Sequence, residues 1–163
     1  MFDNIQFRQL IIQPVLKRID FYSQEAEDLL VGTCAQESRG GTYLFQEGIN
    51  PNLYESFEKN ILAVGIYQME PRTHDDLWDN FIFPNAKLFK LFKPFTEFTA
   101  YTMLYDLYYA TTMARMFYLR VKEPIPKTLE YQAEYYKKYY NTPKGKATVE
   151  EYIKNYTNFV RHK

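Results

Sequence analysis

Apolar residues recur at helical spacing along most of the chain, and the breaks between the runs mark where elements end. The first run covers 5–22 and is crossed by Pro14, which predicts either one kinked helix or a second helix beginning there. Ser23 is placed to cap the next helix: Glu25 falls in its first turn, and Ala26, Leu29, Leu30, Thr33 and Cys34 repeat along one face. The next inward position on that stripe is Glu37. A carboxylate at the end of an apolar face is locally inconsistent, and such positions are candidates for function.

Five of the six glycines, Gly32, Gly40, Gly41, Gly48 and Gly65, fall within 32–65, so backbone freedom is concentrated around that helix end. Beyond it, Thr73 with Asp76 three residues on predicts a capped helix that turns Leu77, Trp78 and Phe81 inward. Residues 83–94 form a short amphipathic piece. Residues 96–122 then read as one long helix dense in Tyr, Met, Phe and Leu, ended by Pro124 and Pro126. Asp106, Arg115 and several Thr inside it favour a core helix over a membrane span. Two more helices are expected: 128–140, with Leu129, Ala133, Tyr136 and Tyr140 inward, and 149–160, where Thr148 and Glu151 form a second capping pair. No repeat, linker or low-complexity tract interrupts the pattern.

Composition narrows this picture to one mainly α domain over 1–163, a length that leaves little room for a second core. With 16 Tyr, 13 Phe and 1 Trp, 18% of the chain is aromatic, which implies either thick interior packing or a surface built to stack on something flat. The formal charge is zero, yet 1–83 holds 13 acids and 6 bases while 84–163 holds 7 acids and 14 bases. The C-terminal half is therefore suited to an anionic partner. Cys34 is the only cysteine, which rules out an intrachain disulfide and a thiolate cluster. His74 and His162 are too few and too isolated for zinc, so neither metal nor cofactor is expected. No serine elbow, Walker loop or dinucleotide fingerprint is present.

Met1 to Leu16 lacks the basic start and unbroken apolar core of a signal peptide, and no stretch is long enough to span a bilayer. A soluble protein made in a reducing compartment, without a transmembrane segment, is expected. Tyr131 to Tyr140, with Lys137 and Lys138, interleaves rings and bases as a single-strand nucleic-acid surface does, but reads better as an amphipathic helix. No nucleic-acid partner is expected.

Four separated pieces resemble the catalytic domain of lytic transglycosylases, which is lysozyme-like. Glu37-Ser38, at the end of an apolar helix, matches that family's Glu-Ser pair. The run Gly65-Ile66-Tyr67-Gln68-Met69-Glu70-Pro71-Arg72-Thr73 is similar to its Gly-Leu-Met-Gln-x-x-Pro-x-Thr, with Gly, Gln, Pro and Thr coinciding without a gap. Tyr118-Leu119 stands where the family has a buried Tyr-Leu, with Thr111 in place of a usual Asn. Tyr139-Tyr140-Asn141 is similar to its Ala-Tyr-Asn-Ala-Gly, with Thr142 and Pro143 replacing the final pair. These pieces run in family order from Glu37 to Asn141, about two thirds of the chain, within a motif-bearing core of about 24–160.

The resemblance implies a lysozyme-like fold that binds peptidoglycan glycan strands and cleaves the MurNAc-GlcNAc β-1,4 bond. Glu37 would be the catalytic residue, first as acid and then as base, while the muramic acid 6-hydroxyl closes onto its own anomeric carbon. Ser38, Tyr67, Gln68, Tyr140 and Asn141 would form the substrate-binding set, with Tyr140 hydrogen-bonding near Glu37. Independently of any family, burial against Leu30 and Cys34 and the negative end of the helix dipole predict a raised pKa for Glu37. If the enzyme hydrolyses instead, a second carboxylate is needed, and Glu47, Glu55, Glu58, Glu70, Asp75 and Asp76 are the candidates. A wall-degrading enzyme without a secretion signal implies a bacteriophage protein, monomeric or virion-associated, present in the virion or the host cytoplasm and acting at the periplasm or cell wall. The competing expectation is a non-catalytic virion or assembly protein that keeps the fold and binds a partner through its Tyr-rich surface.

Overall fold

The computed structural model describes residues 1–46, 62–142 and 145–161. Glu47, Gly48, Glu55, Glu58, Pro143 and His162 lie outside the described residues. Among the described residues the chain is mainly helical and forms no strand, only two isolated antiparallel bridges, Phe45 with Val64 and Val64 with Met69.

Helix α1 runs without a break through Asn4–Gln6, Phe7–Ile12 and Gln13–Arg18. Its middle stretch is wound more widely, with the Gln13 N–H reaching back five residues to the Arg8 carbonyl. Proline has no N–H to give and its ring crowds the preceding turn. The wide turn ahead of Pro14 therefore accommodates it within one helix, which settles the choice between a kinked helix and two helices.

Helix α2, Gln24–Ser38, begins as expected, with the Ser23 hydroxyl accepting from the Ala26 N–H at 3.1 Å. The inward stripe is wider than the sequence pattern implies. Val31, Gly32, Ala35, Ser38 and even Glu27 are buried along with the expected apolar residues, because α1 and three later helices all pack on α2. Glu27 is kept inside by the Arg8 guanidinium, which at 2.8 Å bridges it to Asp28. Arg39 ends the helix in the left-handed conformation, and the Gly40 N–H closes back onto the Cys34 carbonyl at 3.1 Å.

Helix α3 comprises Pro71–Leu77, continued by the more widely wound Trp78–Ile82. Thr73 is not its cap. The helix begins two residues earlier because Pro71 occupies the first turn, where its missing N–H costs nothing, and Glu70 supplies the extended residue before it. Helix α4, Ala86–Lys90, is capped by Asn85. The expected long helix at 96–122 is divided into α5, Thr102–Tyr105, and α6, Leu107–Leu119. Asp106 causes the break: its backbone is extended and its carboxylate accepts from the Tyr109 N–H at 2.9 Å, so it acts as a cap rather than an interior residue. Helix α7 runs through Leu129–Tyr136 and the wider Lys137–Asn141 after its Thr128 cap. Helix α8, Val149–Arg161, starts with the expected reciprocal pair: Thr148 N–H to Glu151 at 2.9 Å and Glu151 N–H to the Thr148 hydroxyl at 3.1 Å.

The buried apolar residues form one contiguous core that draws on every helix. Aromatic abundance is explained largely by the interior. Four tyrosine rings from three helices make a column in the order Tyr118, Tyr140, Tyr136, Tyr152, with successive centroids 5.5, 5.9 and 4.8 Å apart. The column leans on α2, where the Tyr118 hydroxyl meets Thr33 at 2.7 Å and the Tyr152 hydroxyl donates to the Leu29 carbonyl at 3.3 Å. Cys34 is a buried core residue whose thiol is pushed up to about 12 by burial. His74 is also buried, its ring between the Asp75 carboxylate at 2.8 Å and the Tyr109 hydroxyl at 2.7 Å, and burial lowers its pKa.

Gly32 is the contact point between α2 and α8: a Cβ there would lie 1.9 Å from the Tyr152 hydroxyl oxygen. Gly32→Ala is accordingly expected to destabilise the fold by about 1–3 kcal/mol through overpacking. Urea unfolding measures this, and an unchanged midpoint would mean that Tyr152 is not seated over Gly32.

Candidate active site

Because α2 is surrounded along its length, its last turn is where its side chains reach a cleft. Glu37 lies there, partly buried, and lines a hollow of about 600 Å³ together with Gln68, Met69, Glu70, Arg72, Thr73, Phe117, Tyr140 and Asn141. It also borders a smaller hollow of about 320 Å³, lined by Gln36, Arg39, Tyr43, Lys146 and Asn155 among others. The Glu37 carboxyl is pushed up from the ordinary 4.5 to about 7, first by burial, which disfavours the charged form, and against a hydrogen bond from the Tyr136 hydroxyl to its Oε1, which favours that form. A group balanced in this way holds a substantial fraction of both protonation states near neutral pH.

The turn that faces Glu37 is built by its backbone. Val64 and Met69 exchange hydrogen bonds at 3.0 and 3.1 Å, closing a tight loop whose first residue, Gly65, has φ +74 and would put a Cβ 2.4 Å from the Met103 carbonyl oxygen. Only glycine fits there. Gln68 also adopts a left-handed backbone, φ +45, at a cost of about 1 kcal/mol for a residue with a side chain. Its amide nitrogen donates to the Gly65 carbonyl at 2.8 Å, which fixes the side chain at the cleft wall. Strain kept at a position lining a cleft is a mark of use.

Glu37-Ser38 and Tyr139-Tyr140-Asn141 meet the 65–73 run at this turn and Tyr118 joins them through its ring contact with Tyr140, although not every residue takes the place expected of it. Ser38 is fully buried: its hydroxyl donates to the Ile66 carbonyl at 2.7 Å and accepts from the Gly41 N–H at 2.9 Å. It fastens α2 to the turn and presents nothing to a substrate. Tyr67 is likewise in the core, 2% exposed, with its hydroxyl 3.2 Å from Thr111. Neither contacts the cleft, because the turn directs residues 66 and 67 inward and residue 68 outward. Tyr140 does line the cleft, but its hydroxyl donates to the Tyr67 carbonyl at 2.7 Å. The tyrosine bonded to Glu37 is instead Tyr136, one helical turn earlier on the same face of α7. Asn141 lines the cleft with its carbonyl oxygen held by the Lys137 ammonium at 2.8 Å.

Tyr136, Phe117, Arg72 and Thr73 were not foreseen at the site. For Tyr136 the four-residue spacing from Tyr140 was the available signal. Of the second-carboxylate candidates among the described residues, Glu70 alone lines the cleft, where it pairs with Arg72. Asp75 is engaged by His74, and Asp76 by Arg120 and Asn80. Among the described residues no group of three or more His, Cys, Asp or Glu could hold a metal, and no helix is long and apolar enough to cross a membrane.

Compared with protein-family models, curated proteins and solved structures, the chain matches none. The geometry therefore carries the functional argument alone.

The raised pKa of Glu37 has a thermodynamic consequence. Between pH 4.5 and about 7 the folded protein keeps a proton that the unfolded chain releases, so this residue makes stability fall as pH rises through that window. Glu37→Gln should match the parent near pH 4 and exceed it at pH 8 by on the order of 1–2 kcal/mol, a figure reduced for partial exposure. Chemical denaturation at the two pH values tests this. A variant no more stable than the parent at pH 8 would mean that the carboxyl is not desolvated.

Proposed function

We propose that this protein is a peptidoglycan-cleaving enzyme of the lytic transglycosylase type, with a lysozyme-like fold, in which Glu37 acts as acid and then base on the MurNAc-GlcNAc β-1,4 bond. The observation that carries the reading is a carboxyl with a pKa of about 7 at the edge of a cleft whose wall is formed by Gln68, Tyr140 and Asn141. The convergence of Glu37, the 65–73 turn, Tyr118 and Tyr140, far apart in sequence, supports it.

In this reading protonated Glu37 delivers its proton to the glycosidic oxygen as the bond to the anomeric carbon breaks, and the GlcNAc side leaves with a free hydroxyl. Positive charge develops on the MurNAc ring, and its N-acetyl group assists. The muramic 6-hydroxyl then bonds to the anomeric carbon and gives its proton to the Glu37 carboxylate, restoring the acid and leaving a 1,6-anhydro sugar. One residue must donate and then accept within a single turnover, and a pKa near the working pH serves both steps. The Tyr136 hydroxyl steadies the carboxylate in the interval. Aromatic edges at Phe117 and Tyr140 suit the apolar faces of sugar rings, and the Gln68 and Asn141 amides suit hydroxyl and N-acetyl groups. Glu70 favours a variant of this reading, hydrolysis, in which it serves as the second carboxylate.

Digestion of purified sacculi with mass spectrometry of the soluble products tests the proposal. Anhydro-muropeptides are expected from the parent, with the rate reduced at least 100-fold in Glu37→Gln. Reducing-end products sensitive to Glu70→Gln would establish the hydrolytic variant. No release from several wall types would overturn the enzymatic reading and leave a binding protein.

The acid form of Glu37 starts the reaction, so kcat/KM should decline as pH rises past about 7. Tyr136→Phe removes a donor that favours the ionised form, so the declining limb should move to higher pH. A limb that stays in place or moves down would exclude Tyr136 as the group that sets the acidity of Glu37.

A further inference from the structure

The segment 83–98, which contributes nothing to the cleft, carries an exposed aromatic cluster. Phe83 is 70% exposed, Phe98 41% and Phe89 39%, and the rings are contiguous: Phe83 lies 5.7 Å from Phe89, Phe89 6.2 Å from Trp78, and Trp78 5.1 Å from Phe98. Trp78 fixes the cluster to the interior, packing 4.7 Å from the fully buried Phe92 and donating its Nε1–H to Tyr109 at 2.9 Å. With that N–H turned inward, the outward face is hydrocarbon. Lys87, Lys90 and Lys93, which flank Phe89 in sequence on α4 and just after it, are exposed. Among the described residues no ion pair engages them. Glu97, the one acid within 83–98, accepts from the Tyr105 hydroxyl.

We propose that this Phe and Lys surface docks the protein peripherally on an anionic phospholipid bilayer, with Phe83, Phe89 and Phe98 at the boundary of headgroups and acyl chains and Lys87, Lys90 and Lys93 on the lipid phosphates. The combination of exposed hydrocarbon with three exposed ammonium groups that no ion pair engages among the described residues is what such an interface selects. A second copy of the chain fits less well, since a two-fold pairing would bring the same lysines against each other. A nucleic acid fits less well too, because the Phe rings meet edge to face, at 79° for Phe83 with Phe89 and 83° for Phe89 with Trp78, and offer no parallel platform for bases. Helix α3 joins this surface to the cleft. Arg72 and Thr73 line the cleft near its start, and Trp78–Ile82 ends at the patch, about 18 Å for the whole helix at 1.5 Å per residue. The proposal is independent of the chemistry assigned to Glu37.

Sedimentation of the intact protein with vesicles tests it, supported by the emission of Trp78, the only tryptophan. Partitioning onto vesicles containing phosphatidylglycerol, little onto pure phosphatidylcholine, and weakening by salt are expected. Each Lys→Gln change at 87, 90 or 93 should lower the partition coefficient roughly fivefold. Phe83→Ser combined with Phe89→Ser should abolish binding while far-UV circular dichroism is unchanged, as befits exposed positions. Equal binding to both vesicle types, no binding to either, or Phe83-dependent self-association or oligonucleotide binding without vesicle binding would each overturn the proposal.

Discussion

Everything at the candidate site depends on the burial of α2. A helix packed on by α1, α6, α7 and α8 is buried through its middle turns, and its side chains reach solvent only toward its two ends, at Gln24, Glu25 and Asp28 near the start and at Gln36 and Glu37 in the last turn. Glu37 is in that last turn, and the tyrosine column from Tyr118 to Tyr152 holds the neighbouring helices at a fixed distance from it. The column sets the low-dielectric surroundings that raise the carboxyl's proton affinity. It also supplies, through Tyr136, a donor that keeps the affinity from rising further. Packing and acidity are here two readings of the same contacts.

The helices were legible where one residue decides an end. Ser23 and the Thr148–Glu151 pair each offer an oxygen to an otherwise unpaired N–H, a short-range event that sequence displays directly. Thr73 misled because Pro71 had already started the helix, and Asp106 was hidden because an acid inside an apolar run reads equally as an exposed residue or a cap. The outlying position of Glu37 on its stripe was legible for a similar reason: it broke a pattern.

The roles of Ser38 and Tyr67 were not legible, because they follow from which way a turn faces. This turn sends Ile66 and Tyr67 to the core and Gln68 to the cleft, and Gly65 and Gln68 set those directions through left-handed backbone that no periodicity reveals. Ser38, Tyr67 and Tyr140 instead form a structural lock, in which two hydroxyls hold successive carbonyls, of Ile66 and Tyr67, and so hold Gln68 outward. Choosing between Tyr136 and Tyr140 as the partner of Glu37 required the rotation of α7, whose last turn is wound more widely than an ordinary α-helix.

Glu37 borders two hollows. Burial already raises the proton affinity of its carboxyl, and the Tyr136 hydroxyl holds that rise in check. A chain molecule lying across both hollows would strip away hydration left at the carboxyl, and the lost solvation would weigh against the ionised form. Occupancy and protonation would then be linked: the complex would take up a proton as it forms, and the acid would be charged for donation by the arrival of the molecule that receives it.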